Sequence, residues 1–176
     1  LERSLSVLLP VCNVQSTLAA TVLEILEVVS DLTQRFDLVI VDDGSTDATS
    51  EVAYELTQHY PQVRAIRHGS SLGREAAIRA GLKHSKGEII LVPDESGIAA
   101  VDGIPRLWHS VNQQQRAPGD TPGPIDRKWT RFSAGHPVAQ AGYQMIDRRT
   151  MERLHRASQP NRPNYLSRLR DFALGE

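Results

Sequence analysis

The aliphatic run Leu38-Val39-Ile40-Val41 ends abruptly in Asp42-Asp43-Gly44-Ser45-Thr46-Asp47: two carboxylates, a glycine and three short polar side chains. Carboxylates without an adjacent basic partner accept hydrogen bonds from a base N–H or from sugar hydroxyls, so this pair suits recognition of a polar ligand. A second acidic group, Asp94-Glu95-Ser96, follows the apolar run Ile89-Ile90-Leu91-Val92-Pro93 in the same way. Arg74 follows Gly73, and Arg148-Arg149 form a basic pair; the guanidinium fork matches phosphates and carboxylates. The plain alternative for Asp42 and Asp43 is an Asp helix cap beside a turn Asp.

These residues need strands that end where the acids begin. Leu5-Ser6-Val7-Leu8-Leu9-Pro10 reads as a first buried strand, stopped by Pro10. From Ser16 the apolar positions Leu18, Val22, Ile25, Leu26 and Val29 recur at helical spacing. A buried strand then delivers Asp42 and Asp43 to its carboxyl end, where ligands of open α/β sheets bind. Ser45, Thr46 or Asp47 caps a helix running to about Tyr60. Residues 62–67 form a third strand, and 72–86 a third helix closed by Gly87. Residues 88–93 form a fourth strand. This βαβαβαβ order predicts a parallel sheet with helices on both faces. Beyond Val101 a short helix over 104–111 carries Trp108. Residues 113–124 read as a surface loop, 143–146 as a late strand before a helix from Thr150, and 164–174 as a last helix.

The 176 residues suffice for one domain with a substantial core. With Lys and Arg totalling 20 against 21 Asp and Glu, nothing argues for nucleic acid as a partner. The charge is unevenly placed. Residues 1–100 hold 14 acids and 8 bases and residues 101–176 hold 7 and 12, so the second half is the one suited to anions or to a solvated basic face. Cys12 is alone, which excludes a disulfide framework and points to a reducing compartment; beside Pro10 it reads as a small buried filler. The six histidines lack metal-ligand spacing and read as surface or structural. No membrane span or signal peptide is visible. The start at Leu1-Glu2, without Met, predicts a fragment, with any membrane anchor or acceptor module outside it.

Four ordered motifs resemble those of family 2 glycosyltransferases with the GT-A fold. They are Val7-Leu8-Leu9-Pro10-Val11-Cys12-Asn13, Asp42 to Asp47, Leu72-Gly73-Arg74 to Leu82, and Gly87 to Ser96. The resemblance is strong over residues 5–95 and weak thereafter, where Gly142-Tyr143 and Arg148-Arg149 are similar to the family's acceptor-side residues. It implies an α/β/α sandwich with a mostly parallel sheet. Residues 1–176 are then one domain, with a nucleotide-sugar-binding half over 5–100 and a shortened acceptor-side half over 101–176. The implied activity is metal-assisted transfer of a sugar from a nucleotide-diphosphate donor to an acceptor hydroxyl or polyprenyl phosphate. Pro10, Asn13, Asp42, Asp43, Arg74 and Asp94 are the implied donor-binding residues. Asp94, with Glu95 and Ser96 as weaker candidates, is placed to hold Mg²⁺ or Mn²⁺, and Arg148 and Arg149 to meet an acceptor such as a lipid phosphate. The implied location is cytoplasmic, at the inner membrane face, with membrane association only through parts outside this chain.

Two departures stand beside the matches. Ser96 occupies the place of the second acid in the family's D-x-D metal motif, and Pro163-Asn164 the place of the acids opening a late helix that carries the catalytic base. Asn accepts no proton, which leaves Asp126, Asp147 and Asp171 as candidate bases. The alternative is a non-catalytic glycosyltransferase-like domain with weak or no nucleotide-sugar binding, acting as scaffold or regulator. A Rossmann oxidoreductase is excluded by the missing glycines after the first strand. A haloacid-dehalogenase-type phosphatase fails because the acids are adjacent and end the second strand.

Overall fold

The structure, a computed structural model, describes residues 3–93, 101–113, 138–140 and 142–157. In chain order the elements are β1 (Leu5–Val11), α1 (Leu18–Leu32), β2 (Phe36–Asp42), α2 (Thr49–His59), β3 (Val63–Arg67), α3 (Arg74–His84) and β4 (Ile89–Pro93). A 3-10 turn (Val101–Gly103), α4 (Ile104–Gln113), β5 (Val138–Gln140), β6 (Tyr143–Asp147) and α5 (Arg148–Ala157) follow. The sheet order is β3-β2-β1-β4-β6-β5. The first four strands are mutually parallel, whereas β6 runs antiparallel to β4 and β5 antiparallel to β6.

Strand periodicity divides the core into two layers. Leu5, Val7, Leu9 and Val11 of β1 face one way with Leu38 and Ile40 of β2, against the buried stripes of α1, α2 and α4. Leu8, Val39 and Val41 face the other way, against Ala77, Ile78 and Leu82 of α3 and Met151 of α5. The result is the expected α/β/α sandwich, with Trp108 in its core.

Several boundaries differ from expectation for local physical reasons. Pro10 does not stop β1, which pairs with β2 as far as Val11–Asp42. The Val11 carbonyl accepts from Asp43 N–H on the β2 side. By alternation, Pro10 presents its missing N–H to the β4 side, where pairing has already ended at Val7–Leu91. Helix α2 begins at Thr49, with Ala48 rather than Ser45, Thr46 or Asp47 at its N-cap position. Asp47, one residue before that position, still reaches the first turn, its Oδ1 accepting from Thr49 N–H at 2.9 Å. Helix α3 ends at His84 with Ser85 extended, so Gly87 is not its terminating glycine. Gly87 is instead required by close approach: a Cβ there would lie 2.4 Å from the Ser6 nitrogen of β1. Strand β5 was not visible in the sequence pattern. The predicted helix over 164–174 and loop over 113–124 lie outside the described residues, apart from Gln113 at the end of α4.

Candidate functional site

Successive connections carry the chain from β1 outward to β2 and β3, then back across β1 to β4. The reversal falls between β1 and β4, and the carboxyl edge of such a switch point is where open α/β sheets bind ligands. Here the two strands part beyond Val7–Leu91 while each runs on, β1 to Val11 and β4 to Pro93. Pro10 faces that parting, and the ends of β2 and β3 stand alongside. Asn13, Asp42, Asp43 and Arg74 all lie at this edge.

The loop after β1 is latched to the loop after β2. Asn13 adopts a left-handed backbone, φ 54°, a conformation Asn tolerates better than most residues. Its Oδ1 accepts from Thr46 N–H at 2.9 Å and more weakly from Asp47 N–H at 3.4 Å. Its own N–H donates to Ser45 Oγ at 2.9 Å. Gln15 adds two further ties, donating its N–H to Asp47 Oδ2 and accepting from Ala48 N–H through Oε1. Cys12 is exposed in this loop, which corrects its reading as a buried filler.

Asp42 is buried, at 1% exposure. Its Oδ1 accepts from Ser45 N–H at 2.9 Å and from the Ser45 hydroxyl. The Arg67 Nε stands 3.6 Å from Oδ2, and the rest of that guanidinium donates to the Ser45 carbonyl and the Ser50 hydroxyl. Asp42 therefore shapes the turn that carries Ser45, with Arg67 offsetting its charge.

Asp43 turns the other way, into residues 68–73. Its Oδ1 accepts from His68 Nδ1 at 2.7 Å and Leu72 N–H at 2.9 Å. Its Oδ2 accepts from the Ser71 hydroxyl and Gly73 N–H, both at 2.8 Å. Burial alone raises the Asp43 pKa, but the bonds from His68, Leu72, Ser71 and Gly73 outweigh it and hold the pKa at about 2. Gly44, φ 74°, completes the junction: a Cβ there would meet the Ser70 and Ser71 backbone at 2.5 Å. The acidic pair thus uses most of its acceptor capacity on its own loops, as in the plain turn-and-cap reading.

Gly73, φ 90°, starts α3, and Arg74 donates from Nη2 to the Pro93 carbonyl. That bond brings the guanidinium to the end of β4, immediately before Asp94-Glu95-Ser96. Asp94, Glu95, Ser96, Asp126, Asp171 and Asn164 lie outside the described residues. Among the described residues no group of three His, Cys, Asp or Glu could hold a metal ion. With Asp42 buried and Asp43 fully hydrogen-bonded, the described residues do not by themselves fit a divalent cation.

Three second-half candidates sit elsewhere. Asp147 pairs with Ile89, so β6 carries its end, and α5 after it, to the amino edge of the parallel strands. Arg148 there donates to the Gly87 carbonyl at 2.6 Å, the Ser85 hydroxyl at 2.8 Å and the Leu82 carbonyl at 3.3 Å, closing the end of α3. Arg149 is exposed beside it. Asp147 caps α5 by accepting Arg149 N–H and pairs with Arg3 at 3.4 Å. The length of β4, at about 3.3 Å per residue, separates this edge from Arg74. Arg148 and Arg149 therefore do not line the same cleft as Arg74, and Asp147 is a cap rather than a base there. Tyr143 does pair with Pro93, but its side chain is core. Burial, reinforced by the negative Glu24, pushes its hydroxyl pKa up to about 12.

His68, Ser71 and Ser45 are the site residues the sequence reading missed. The available signal was position: His68 follows the last residue of β3, at the edge where Asp43 leaves β2.

The model described as glycosyl transferase family 2 matches residues 6–166. An undecaprenyl-phosphate 4-deoxy-4-formamido-L-arabinose transferase from Edwardsiella ictaluri is 28% identical over 87% of this chain and 49% of its own length. A human dolichyl-phosphate beta-glucosyltransferase is 32% identical over 66% of this chain and 38% of its own. Among solved structures, a mannosyltransferase from Pyrobaculum calidifontis in complex with GDP-Man and Mn²⁺ superposes with a TM-score of 0.62 at 18% identity, covering 88% of this chain and 47% of that one. The chain thus spans about half the length of these relatives, or less.

Proposed function

The chain belongs to glycosyl transferase family 2, and we propose that it binds a nucleotide-diphosphate sugar at the carboxyl edge between β1 and β4 and supports transfer of that sugar to a polyprenyl phosphate or a hydroxyl acceptor. The observation that carries this reading is the convergence, at the sheet's switch point, of the Asn13 latch, the Asp43-bound loop and Arg74 reaching the end of β4. The relatives' lipid-phosphate names support the acceptor class.

The roles follow from charge and placement. Arg74 supplies a cation for the donor's diphosphate, which a guanidinium engages through two N–H groups at once. The parting beside Pro10 leaves a slot for the base. Asp94, directly after Pro93, would hold Mg²⁺ or Mn²⁺ together with diphosphate oxygens, since Mg²⁺ is commonly bound through one or two carboxylates plus phosphates. When bound, such an ion stabilises the departing nucleoside diphosphate as a Lewis acid. Asp126 and Asp171 remain the proposed candidates for the base. Family membership argues against a purely non-catalytic scaffold. No helix among the described residues is long and apolar enough to cross a membrane, so a lipid-phosphate acceptor would be met at a surface or through chain outside these residues.

The test is calorimetric titration of GDP and UDP, each with Mn²⁺, into the unmodified chain and Arg74→Ala. Binding of one nucleotide, weakened about tenfold or more by the substitution, supports the site. Absence of binding by both nucleotides, or equal affinity in the variant, overturns it.

A further inference from the structure

We propose that His68 is a positioning residue for donor binding, acting through Asp43 on the loop that sets Arg74; the inference rests on the donor-site reading above. His68 is fixed at both ends. Its backbone N–H donates to the Asp42 carbonyl at 2.9 Å, which continues the β2–β3 ladder one step past Arg67. Its side chain, 13% exposed, meets Asp43 Oδ1 at 2.7 Å, and Asp43 is 8% exposed. An ionised carboxylate only accepts, so the proton of this bond sits on Nδ1. The imidazole is thereby committed to one donor direction.

The same Asp43 oxygen also takes the Leu72 N–H, and its other oxygen the Gly73 N–H. Those two amides immediately precede Arg74, the first residue of α3. The Nδ1–H bond is one of four on the Asp43 carboxylate, and the only one of them that comes from outside residues 71–73, so its loss lets the carboxylate and both amide contacts shift together. Within the loop the Ser71 hydroxyl also binds Asp43 Oδ2 and the Ser70 and Ser71 backbone packs on Gly44, so the loop's side-chain tie runs through Asp43. Arg74 must nevertheless reach the Pro93 carbonyl across the crevice. A displacement at Gly73 moves the Arg74 Cα, one peptide unit away, and with it the base from which the guanidinium reaches Pro93.

Geometry also selects the substitutions that separate a donor role from bulk. The side-chain amide nitrogen of Asn lies at nearly the same distance from the backbone as His Nδ1 and also donates, whereas Leu fills similar space and donates nothing. His68→Asn should therefore preserve the positioning and His68→Leu remove it. Two readouts decide the matter. In amide hydrogen exchange, with β1 amides as internal reference, Leu72 and Gly73 should lose protection in His68→Leu and keep it in His68→Asn. In titrations of GDP and UDP with Mn²⁺, His68→Leu should weaken binding about tenfold and His68→Asn stay within about threefold of the unmodified chain. Undiminished protection of both amides in His68→Leu overturns the proposal, and so does unchanged nucleotide affinity. If the unmodified chain binds neither nucleotide, the donor-site reading falls. The exchange result then decides separately whether His68 sets the loop.

Discussion

Replacement of Asp43 by Asn isolates the energetics of the 68–73 loop, because it keeps the shape of the side chain and removes its charge. The native carboxyl, held at about 2 against an ordinary 3.8, is stabilised in its ionised form by nearly two pK steps. At about 1.4 kcal/mol per step, the linked stability is on the order of 2 kcal/mol. Because the folded pKa is depressed, that contribution is present above the unfolded value near pH 4 and is lost as the pH falls through about 2. The Asn variant has no such term. Its amide nitrogen would also face donors, since both Ser71 Oγ–H and Gly73 N–H point at one oxygen. The hydroxyl can turn away, but the Gly73 amide is fixed, so at neutral pH the variant should be less stable by about 2–3 kcal/mol. Urea unfolding of both proteins between pH 2 and pH 6 checks the reasoning. The stability gap should be widest near neutrality and narrow by most of its value from pH 4 to pH 2, while carboxylates common to both proteins cancel in the difference. Parallel curves would refute the claim that the loop's hydrogen bonds depress the Asp43 pKa.

Asn13→Gly keeps access to the left-handed backbone and loses the Oδ1 acceptor. It should cost about 1 kcal/mol in unfolding experiments and weaken GDP or UDP binding, whereas unchanged affinity would detach the latch from the site. Arg148→Ala removes three donors from the end of α3 and should lower stability by about 2–3 kcal/mol, read as a drop in Tm, with nucleotide affinity unaltered. A loss of affinity at unaltered Tm would place Arg148 in the cleft after all. Gly87→Ala forces a methyl onto the β1 backbone and should cost about 3 kcal/mol or more, measured by the same unfolding assay.

The first half of the fold was legible because each buried strand ends in a change of composition. Aliphatic runs set β1, β2 and β4, and the spacing of Leu18, Val22, Ile25 and Val29 set the buried face of α1. What misled was local grammar read without the neighbouring strand. Pro10 would end a strand paired on both sides, but its missing N–H faces a side where pairing has stopped. Gly87 sits where a terminating glycine is expected, and only the packing of β1 beneath it reveals why no side chain fits. In the site, residue type located the acids but not their direction. Asp42 and Asp43 are adjacent in sequence, yet one closes onto Ser45 and the other onto Leu72 and Gly73. No spacing rule distinguishes those fates, because the donors to Asp43 come from the loop beyond β3.

The placement of Arg148 has a wider consequence. A basic pair after a late strand suggests an anion site only while the direction of that strand is unknown. Once β6 is antiparallel to β4, its start at Tyr143 adjoins the crevice and its end at Asp147 lies at the far edge of the sheet. Arg148 and Arg149, which follow β6, therefore stand at the edge away from the crevice. Arg148 is further committed to the turn between α3 and β4, where it satisfies carbonyls that the end of α3 leaves open. This part of the second half's positive charge therefore fastens the far end of the helix that presents Arg74.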